Sequence, residues 1–280
     1  MLFTFLKMLG ILLLIYGGLL LFVAGCQRNM IYFPSQGTEE RLLKEADAKG
    51  VAAWRNAKQE LIGWKASPEE GAQGGNAVVV FHGNAGYALH RDYLVNGFLS
   101  LNDPSPWTVH IFEYPGYGAR PGRPSEDNLK ATADKAVKRL FAENHSRIFL
   151  VGESLGTGIA AHLASTYPDQ IDGLLLITPF TSFVDVGRKH YPIFPVGLLL
   201  RERYNNLEAL QGYNGPVAFL IAGADEIIPP SLGRRLYESY DGPKRLWVQE
   251  GRGHNSLNYH PKASWWGEVI QFLKNHDPGM

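Results

Sequence analysis

Residues 151–158 read "VGESLGTG" and place Ser154 between two glycines, directly behind the apolar run "RIFLV". The pattern GxSxG between a strand and a helical segment is typical of a sharp turn that presents a nucleophile. Residues with a Cβ would collide there, so Gly152 and Gly156 let the helix and the strand approach closely. The pattern predicts an exposed Ser154 hydroxyl at the carboxyl edge of a sheet. The alternative is a passive serine at a glycine-rich junction.

The surrounding sequence alternates between strand and helix patterns. Several strand segments are continuous apolar runs, as expected of strands that are covered on both faces. The predicted strands are residues 51–55, 60–66, 77–81, 107–112, 147–151, 173–178, 217–222 and 245–249. This alternation predicts an α/β fold in one domain, residues 51–280, with a mainly parallel eight-stranded sheet and helices on both faces.

The clearest helix pattern is "SEDNLKATADKAVKRLF", residues 125–141. Ser125 is expected to cap its N-terminus, with two acidic residues in the first turn. Its apolar residues share one face, which is expected to cover the sheet. They are Leu129, Ala133, Ala136, Val137, Leu140 and Phe141.

A serine hydroxyl needs a base to take its proton and a carboxylate to orient that base. Asp225 follows the predicted strand 217–222, and His254 follows the last predicted strand. The chain order Ser154, Asp225, His254 is that of α/β hydrolases, so these three residues are the predicted catalytic triad.

Other residues could fill two of these roles. His260 is the nearest substitute for His254, whereas His162 lies within a helix pattern and His190 in an insertion. For the acid, Glu226 is adjacent to Asp225, and Asp185 follows the preceding strand. The position directly after a strand favours Asp225.

Backbone N–H groups must also stabilise the oxygen that becomes negative during acyl transfer. One donor is expected from Leu155, directly after the nucleophile. The second is expected from Asn84 in "HGNAG", where Gly83 permits a tight turn after the third predicted strand. His82 lies on the wrong strand for the triad and is predicted to be structural. No metal-ligand spacing stands out, and this chemistry needs no cofactor.

The N-terminus has a different composition from the rest. Residues 8–27 form an uncharged stretch that is long enough to cross a bilayer. A charged start, an apolar middle and small residues at the end are also the layout of an export signal. The tetrapeptide "VAGC" resembles a bacterial lipobox, which implies lipidation of Cys26 after cleavage and a place in the bacterial cell envelope. The alternative is an uncleaved signal anchor. Both interpretations attach the protein to a membrane through residues 1–30, as a signal peptide or an anchor. Residues 31–50 are predicted to form a polar stem.

Charge and cysteine content limit the remaining classes. Lysine plus arginine equals aspartate plus glutamate at 27 each, and basic residues do not cluster, so the sequence lacks the charge pattern of nucleic-acid binding. Cys26 is the single cysteine, so no disulfide can form within the chain. The sequence does not indicate which oligomeric state the protein has.

Six ordered motifs carry a resemblance to a family. "HGNAG", "YPGYG", "GESLG", "TPFTS", "DEIIPP" and "GRGHN" resemble the membrane-anchored α/β hydrolase-domain proteins, whose eukaryotic members include protein depalmitoylases and lysophospholipid hydrolases. The resemblance covers roughly residues 30–275. It implies the α/β hydrolase fold and hydrolysis of acyl esters or thioesters, with Ser154, Asp225 and His254 at the triad positions and Asn84 and Leu155 at the oxyanion positions.

A short insertion follows the sixth predicted strand, from Phe183 to Gly215. Its apolar residues are expected to line an acyl pocket or, alternatively, to hold a helix on the sheet. They are Phe183, Tyr191, Ile193, Phe194, Val196 and Leu198 to Leu200. The sequence thus predicts a membrane-associated serine hydrolase acting on a small-molecule or lipid-like ester. The alternatives are a serine peptidase and a catalytically inactive, membrane-tethered binding protein.

Overall fold

A computed structural model describes residues 1–67 and 75–275. Residues 68–74 and 276–280 of the predicted domain lie outside this description. The helices are α1 Leu2–Ile31, α2 Glu39–Ala48, α3 Asp92–Leu99, α4 Glu126–Phe141, α5 Gly156–Thr166, α6 Phe183–His190, α7 Val196–Leu199, α8 Asn206–Gln211, α9 Pro230–Ser239 and α10 Ser264–Asn275. The strands are β1 Phe33–Pro34, β2 Ala52–Arg55, β3 Leu61–Ala66, β4 Asn76–Phe81, β5 Ala85–Gly86, β6 Trp107–Phe112, β7 Arg147–Glu153, β8 Gly173–Ile177, β9 Val217–Ala222 and β10 Lys244–Gln249.

Eight strands form the central sheet in the order β10-β9-β8-β7-β4-β6-β3-β2. Six neighbouring strands, from β10 to β6, run parallel, whereas β3 is antiparallel to both β6 and β2. This confirms the predicted α/β hydrolase fold with a mainly parallel eight-stranded sheet. Because parallel strands end at one edge, the loops after β4, β7, β9 and β10 lie along that edge.

Helices cover both faces of the sheet and explain the continuous apolar strands. In β4, Val79 and Phe81 contact the cluster that contains α4 and α5. Val78 and Val80 contact the opposite cluster, which contains α3 and α10. Each residue of β4 is therefore buried, whichever face its side chain points to.

Helix α4 begins and packs as its sequence predicts. The Ser125 hydroxyl accepts a hydrogen bond of 3.2 Å from the backbone N–H of Asn128. The five apolar residues from Leu129 to Leu140 that the pattern places on one face are all buried. Phe141 is partly buried against the same cluster.

The N-terminal helix α1 is long and apolar enough to cross a membrane, and the most apolar part of its surface is not buried against the protein. After it, β1 pairs in parallel with β5, next to the loop that follows β4. Helix α2 then buries Leu42 and Ala46 against the domain. Much of the predicted stem, residues 31–50, therefore contacts the domain.

Candidate active site

Ser154 occupies the turn between β7 and α5 with a left-handed backbone, φ +53°. A Cβ on Gly152 would lie 2.5 Å from the Cα of Thr157, and a Cβ on Gly156 would overlap the carbonyl oxygen of Phe81. Only glycine fits at these two positions because backbone atoms occupy the space. Ser154 itself is 7% exposed and lines a cavity, so its hydroxyl is less exposed than the motif predicts.

The three predicted triad residues meet at this edge of the sheet. The Nε2 atom of His254 lies 3.0 Å from the Ser154 hydroxyl, and its Nδ1 atom lies 2.7 Å from a carboxylate oxygen of Asp225. The other Asp225 oxygen accepts backbone hydrogen bonds from Ile227 at 2.9 Å and Ile228 at 2.8 Å. Those two bonds fix the carboxylate so that its free oxygen points at the imidazole.

The alternative base and acid residues have other partners. The Asp185 carboxylate accepts a hydrogen bond of 2.6 Å from Thr181, and Nε2 of His190 lies 2.8 Å from the carbonyl oxygen of Ile227. Glu226 is exposed. Within residues 1–67 and 75–275, none of these residues, nor His162 or His260, forms a hydrogen bond with the Ser154 or His254 side chain.

Asn84 and Leu155 line the same cavity as Ser154. Among the described residues, the backbone N–H groups of Asn84 and Leu155 donate no hydrogen bond. The prediction that they bind an oxyanion requires such unpaired donors. The Asn84 carbonyl accepts hydrogen bonds from the Phe33 N–H at 2.9 Å and the Tyr117 hydroxyl at 2.7 Å. Its side-chain amide donates to the carbonyl oxygen of Ile31 at 2.7 Å. Asn84 is therefore held from three sides.

The cavity has a volume of about 360 Å³, within the roughly 300–1,000 Å³ range of small-molecule sites. Its walls are mostly apolar and come from α1, from the insertion after β8 and from the loop after β9. Most of the insertion residues predicted to line a pocket do so. Ile193 and Leu198 do not, because their side chains are 73% and 87% exposed.

Residues 76–203 match the alpha/beta hydrolase fold family. An uncharacterized protein of Mycobacterium tuberculosis is 36% identical over 254 residues, which cover 89% of this chain and 88% of that protein. The chain belongs to the alpha/beta hydrolase family. The yeast Saccharomyces cerevisiae has an uncharacterized membrane protein that is 37% identical over 173 residues, or 59% of this α/β hydrolase and 60% of its relative. Alpha/beta hydrolase domain-containing protein 17C of Xenopus tropicalis is 27% identical over 84% of this chain and 73% of its own.

Solved structures share the fold at low sequence identity. Est1E from Butyrivibrio proteoclasticus superimposes with a TM-score of 0.64 at 13% identity, over 81% of this α/β hydrolase and 99% of Est1E. The Pyrococcus furiosus esterase Pf2001 gives a TM-score of 0.60 at 17% identity, over 88% and 97% of the two chains. These likenesses establish the architecture of the chain.

Sequence reasoning about this α/β hydrolase missed an ion pair beside the nucleophile. The Glu153 carboxylate accepts hydrogen bonds from Arg91 at 2.7 Å and from the Tyr93 hydroxyl at 2.5 Å. Burial alone would raise the pKa of Glu153, but the Arg91 charge and these hydrogen bonds lower it below its ordinary value. Arg91 also donates to the carbonyl oxygen of Ala85 at 3.1 Å, so it connects the nucleophile turn to the Asn84 loop. Glu153 is an unspecified position of GxSxG, so the motif gave no signal for it.

His82 lies within the fully buried part of the same loop. Its Nδ1 atom is 2.7 Å from the carbonyl oxygen of Gly83, and its ring centre is 3.9 Å from that of Tyr114. The Tyr114 hydroxyl donates a hydrogen bond of 2.7 Å to the His82 carbonyl oxygen. These contacts involve the backbone of the Asn84 loop, as the structural role predicted for His82 requires.

Proposed function

We propose that this protein is a membrane-associated serine hydrolase that cleaves carboxylic esters or thioesters carrying an acyl chain. The observation that supports it most is the continuous hydrogen-bond path from Ser154 through His254 to Asp225, with separations of 3.0 and 2.7 Å. A nucleophile, a base and an orienting carboxylate in this arrangement are the requirements for acyl transfer to a serine.

In the first half of the reaction, the Ser154 oxygen bonds to the substrate carbonyl carbon while its proton moves to Nε2 of His254. Asp225 stabilises the imidazolium that forms. The carbonyl oxygen becomes negative and accepts hydrogen bonds from the Asn84 and Leu155 N–H groups, each worth about 3–4 kcal/mol of barrier. The bond to the leaving alcohol or thiol then breaks, and the leaving group takes the proton from His254.

The second half uses water. A water molecule gives a proton to His254 and bonds to the acyl carbon of the acyl-enzyme. Collapse of this intermediate breaks the bond to Ser154, which recovers its proton from His254. The products are the carboxylic acid and the free enzyme, and the residues that act are the same in both halves.

Acyl chains are the proposed substrates because the cavity beside Ser154 is mainly apolar. Phe183, Tyr191, Phe194 and Leu200 supply much of its insertion wall. An acyl chain gains free energy by leaving water for such a wall, at about 0.8 kcal/mol for each CH₂ group. Est1E and the Pyrococcus furiosus protein, an esterase by name, share the fold and are consistent with this class.

Membrane attachment is proposed from helix α1, supported by the match to a yeast protein named as a membrane protein. We further propose that α1 stays attached as an uncleaved anchor. Lipobox processing at Cys26 would remove Val23 and Ala24, which line the cavity. The proposed division of the chain is an anchor, residues 1–30, a stem, residues 31–50, and a hydrolase domain, residues 51–280. A lipidated Cys26 is the alternative to the uncleaved anchor.

The decisive experiment labels the full-length protein in detergent with a fluorophosphonate, which reacts with activated serines. Wild type and His260→Ala should label and hydrolyse acyl p-nitrophenyl esters. Ser154→Ala should not label, and both Ser154→Ala and His254→Ala should lose about a thousandfold or more in turnover.

The other outcomes are equally clear. Absence of labelling and hydrolysis in the wild type would indicate an inactive binding protein. Faster cleavage of peptide amides than of esters would indicate a peptidase. Mass spectrometry of the mature N-terminus decides the anchor, because an acylated Cys26 supports lipoprotein processing and an intact N-terminus contradicts it.

A further inference from the structure

The end of helix α1 forms part of the cavity that contains Ser154. Its last three turns contribute Val23, Ala24, Gln27, Met30 and Ile31 to the lining. The insertion after β8 forms the opposite wall. A helix that served only to hold the protein at a membrane would have no need to meet the nucleophile's cavity.

Polar contacts fix this wall in place. Gln27 is 6% exposed, and its side-chain oxygen accepts a hydrogen bond of 2.7 Å from the backbone N–H of Arg201. Its amide group donates to the carbonyl oxygen of Leu199 at 3.2 Å. The next residue, Arg28, forms an ion pair of 2.7 Å with Glu202, which is almost fully buried. These bonds fix the end of the helix to residues 199–202 of the insertion.

The same insertion follows α1 towards its uncharged half. The Tyr16 hydroxyl donates a hydrogen bond of 2.8 Å to the carbonyl oxygen of Ile193. Tyr16 lies about 16 Å along the helix axis from Gln27, at about 1.5 Å per residue. If residues 8–27 lie in a bilayer, Ile193 lies at the depth of the lipid. The exposed side chains of Ile193 and Leu198 then face hydrocarbon instead of water, which accounts for an apolar surface that water would disfavour.

We propose that a long acyl chain enters the cavity sideways from the bilayer, between helix α1 and the insertion, and that Val23 and Ala24 contact this chain and limit its length. The membrane helix is thus a specificity element of the active site. This inference rests on the proposed ester or thioester hydrolysis and names the source of the substrate, which is a lipid-embedded acyl group.

The first test uses the full-length protein in phosphatidylcholine vesicles and p-nitrophenyl esters from acetyl to palmitoyl. Ala24→Trp places a large side chain in the cavity. Leu21→Trp adds the same side chain at a position that is 77% exposed and outside the cavity. Ala24→Trp should lower kcat/KM for the palmitoyl ester about tenfold or more and leave the acetyl ester within about twofold, because only the long chain needs the filled space. Leu21→Trp should change neither value.

The acetyl ester also reports whether each variant is folded. An equal loss for all chain lengths in Ala24→Trp, or no loss for any, would overturn the chain-length role. If a fluorophosphonate does not label the wild-type protein and the protein cleaves no ester, the proposed function itself is refuted.

A second test addresses the route. Leu198→Asp places a charge on the surface assigned to the lipid, outside the cavity. It should reduce cleavage of a vesicle-embedded palmitoyl ester about tenfold and leave a water-soluble acetyl ester unchanged. Glu208→Gln, at an exposed position in α8 outside the cavity, is the control. Equal rates for Leu198→Asp and wild type on the embedded ester would contradict entrance from the bilayer.

Discussion

The side-chain amide of Asn84 donates a hydrogen bond of 2.7 Å to the carbonyl oxygen of Ile31, the last residue of the N-terminal helix. This bond joins the proposed oxyanion loop to the end of helix α1. Because an oxyanion donor acts only when its N–H points at the developing charge, a contact that fixes the Asn84 backbone affects the rate of the chemical step.

Asn84→Ala should lower kcat about tenfold and leave KM nearly unchanged. The backbone N–H remains but is less well fixed, so the loss should be smaller than the roughly 10²–10³-fold cost of removing an oxyanion donor outright. Steady-state hydrolysis of the acetyl ester measures both constants.

Asn96→Ala is the control for this change, since Asn96 lies on the exposed side of α3. A raised KM with an unchanged kcat in Asn84→Ala would show that Asn84 contributes to substrate binding alone.

Asp225→Asn should reduce kcat by about 10³–10⁴-fold with little change in folding stability. An amide at this position keeps the shape of the carboxylate but cannot stabilise the imidazolium of His254. The adjacent Glu226→Gln should retain full activity, since Glu226 is exposed. Similar activity for Asp225→Asn and wild type would remove Asp225 from the mechanism and return attention to Asp185.

Gly156→Ala should destabilise the protein by about 2–3 kcal/mol, because the new Cβ would overlap the Phe81 carbonyl oxygen and neither backbone can move freely. Urea denaturation in detergent measures the free energy of unfolding. The matched substitution Gly267→Ala lies in α10, where a Cβ meets nothing within 4 Å. It should be neutral or stabilise by up to about 1 kcal/mol. Equal stability of the two variants would refute the steric explanation of GxSxG.

The buried side chain of His110 should make the free energy of unfolding decrease at acid pH. Burial, with the nearby charge of Lys65, lowers the pKa of His110 to about 3 from an ordinary value of 6.5. Below pH 6.5 the unfolded chain therefore binds a proton that the folded chain does not. The free energy of unfolding should fall by about 1.4 kcal/mol per pH unit from this group as the pH decreases towards 3.

His110→Phe should remove this contribution, so its stability should depend less steeply on pH between 6.5 and about 5. Denaturation at several pH values measures the slope. His260→Phe, at an exposed position, should keep the slope of the wild type. An unchanged slope in His110→Phe would mean that His110 is protonated in the folded protein.

The central sheet and the proximity of Ser154, Asp225 and His254 could be predicted because both depend on local signals. Each strand of the main sheet is a short apolar or alternating run, and parallel strands bring their following loops to one edge. Ser154 and His254 are 100 positions apart in sequence, yet Ser154 directly follows β7 and His254 lies in the loop after β10, so they needed only the correct fold to meet. The capping residue Ser125 was predictable for the same reason.

The contribution of α1 to the cavity could not be predicted. Val23, Ala24 and Ile31 are apolar, as residues facing lipid would be, so composition does not distinguish a lipid-facing side from a pocket-facing side. Only the contacts of Gln27 and Arg28 with residues more than 170 positions later in the chain make the distinction. The Glu153 and Arg91 pair was missed because no spacing rule connects an unspecified motif position to a distant arginine.

The junction around Glu202 has a practical consequence for anyone who prepares this enzyme. A truncated fragment that starts after Ile31 would lose the Arg28 partner of a carboxylate that is only 2% exposed, together with the Asn84 acceptor. The cavity beside Ser154 would also open to water on the side that α1 lines. Rates measured on such a truncated fragment would describe an altered catalyst, so selectivity assays belong with the full-length polypeptide in lipid.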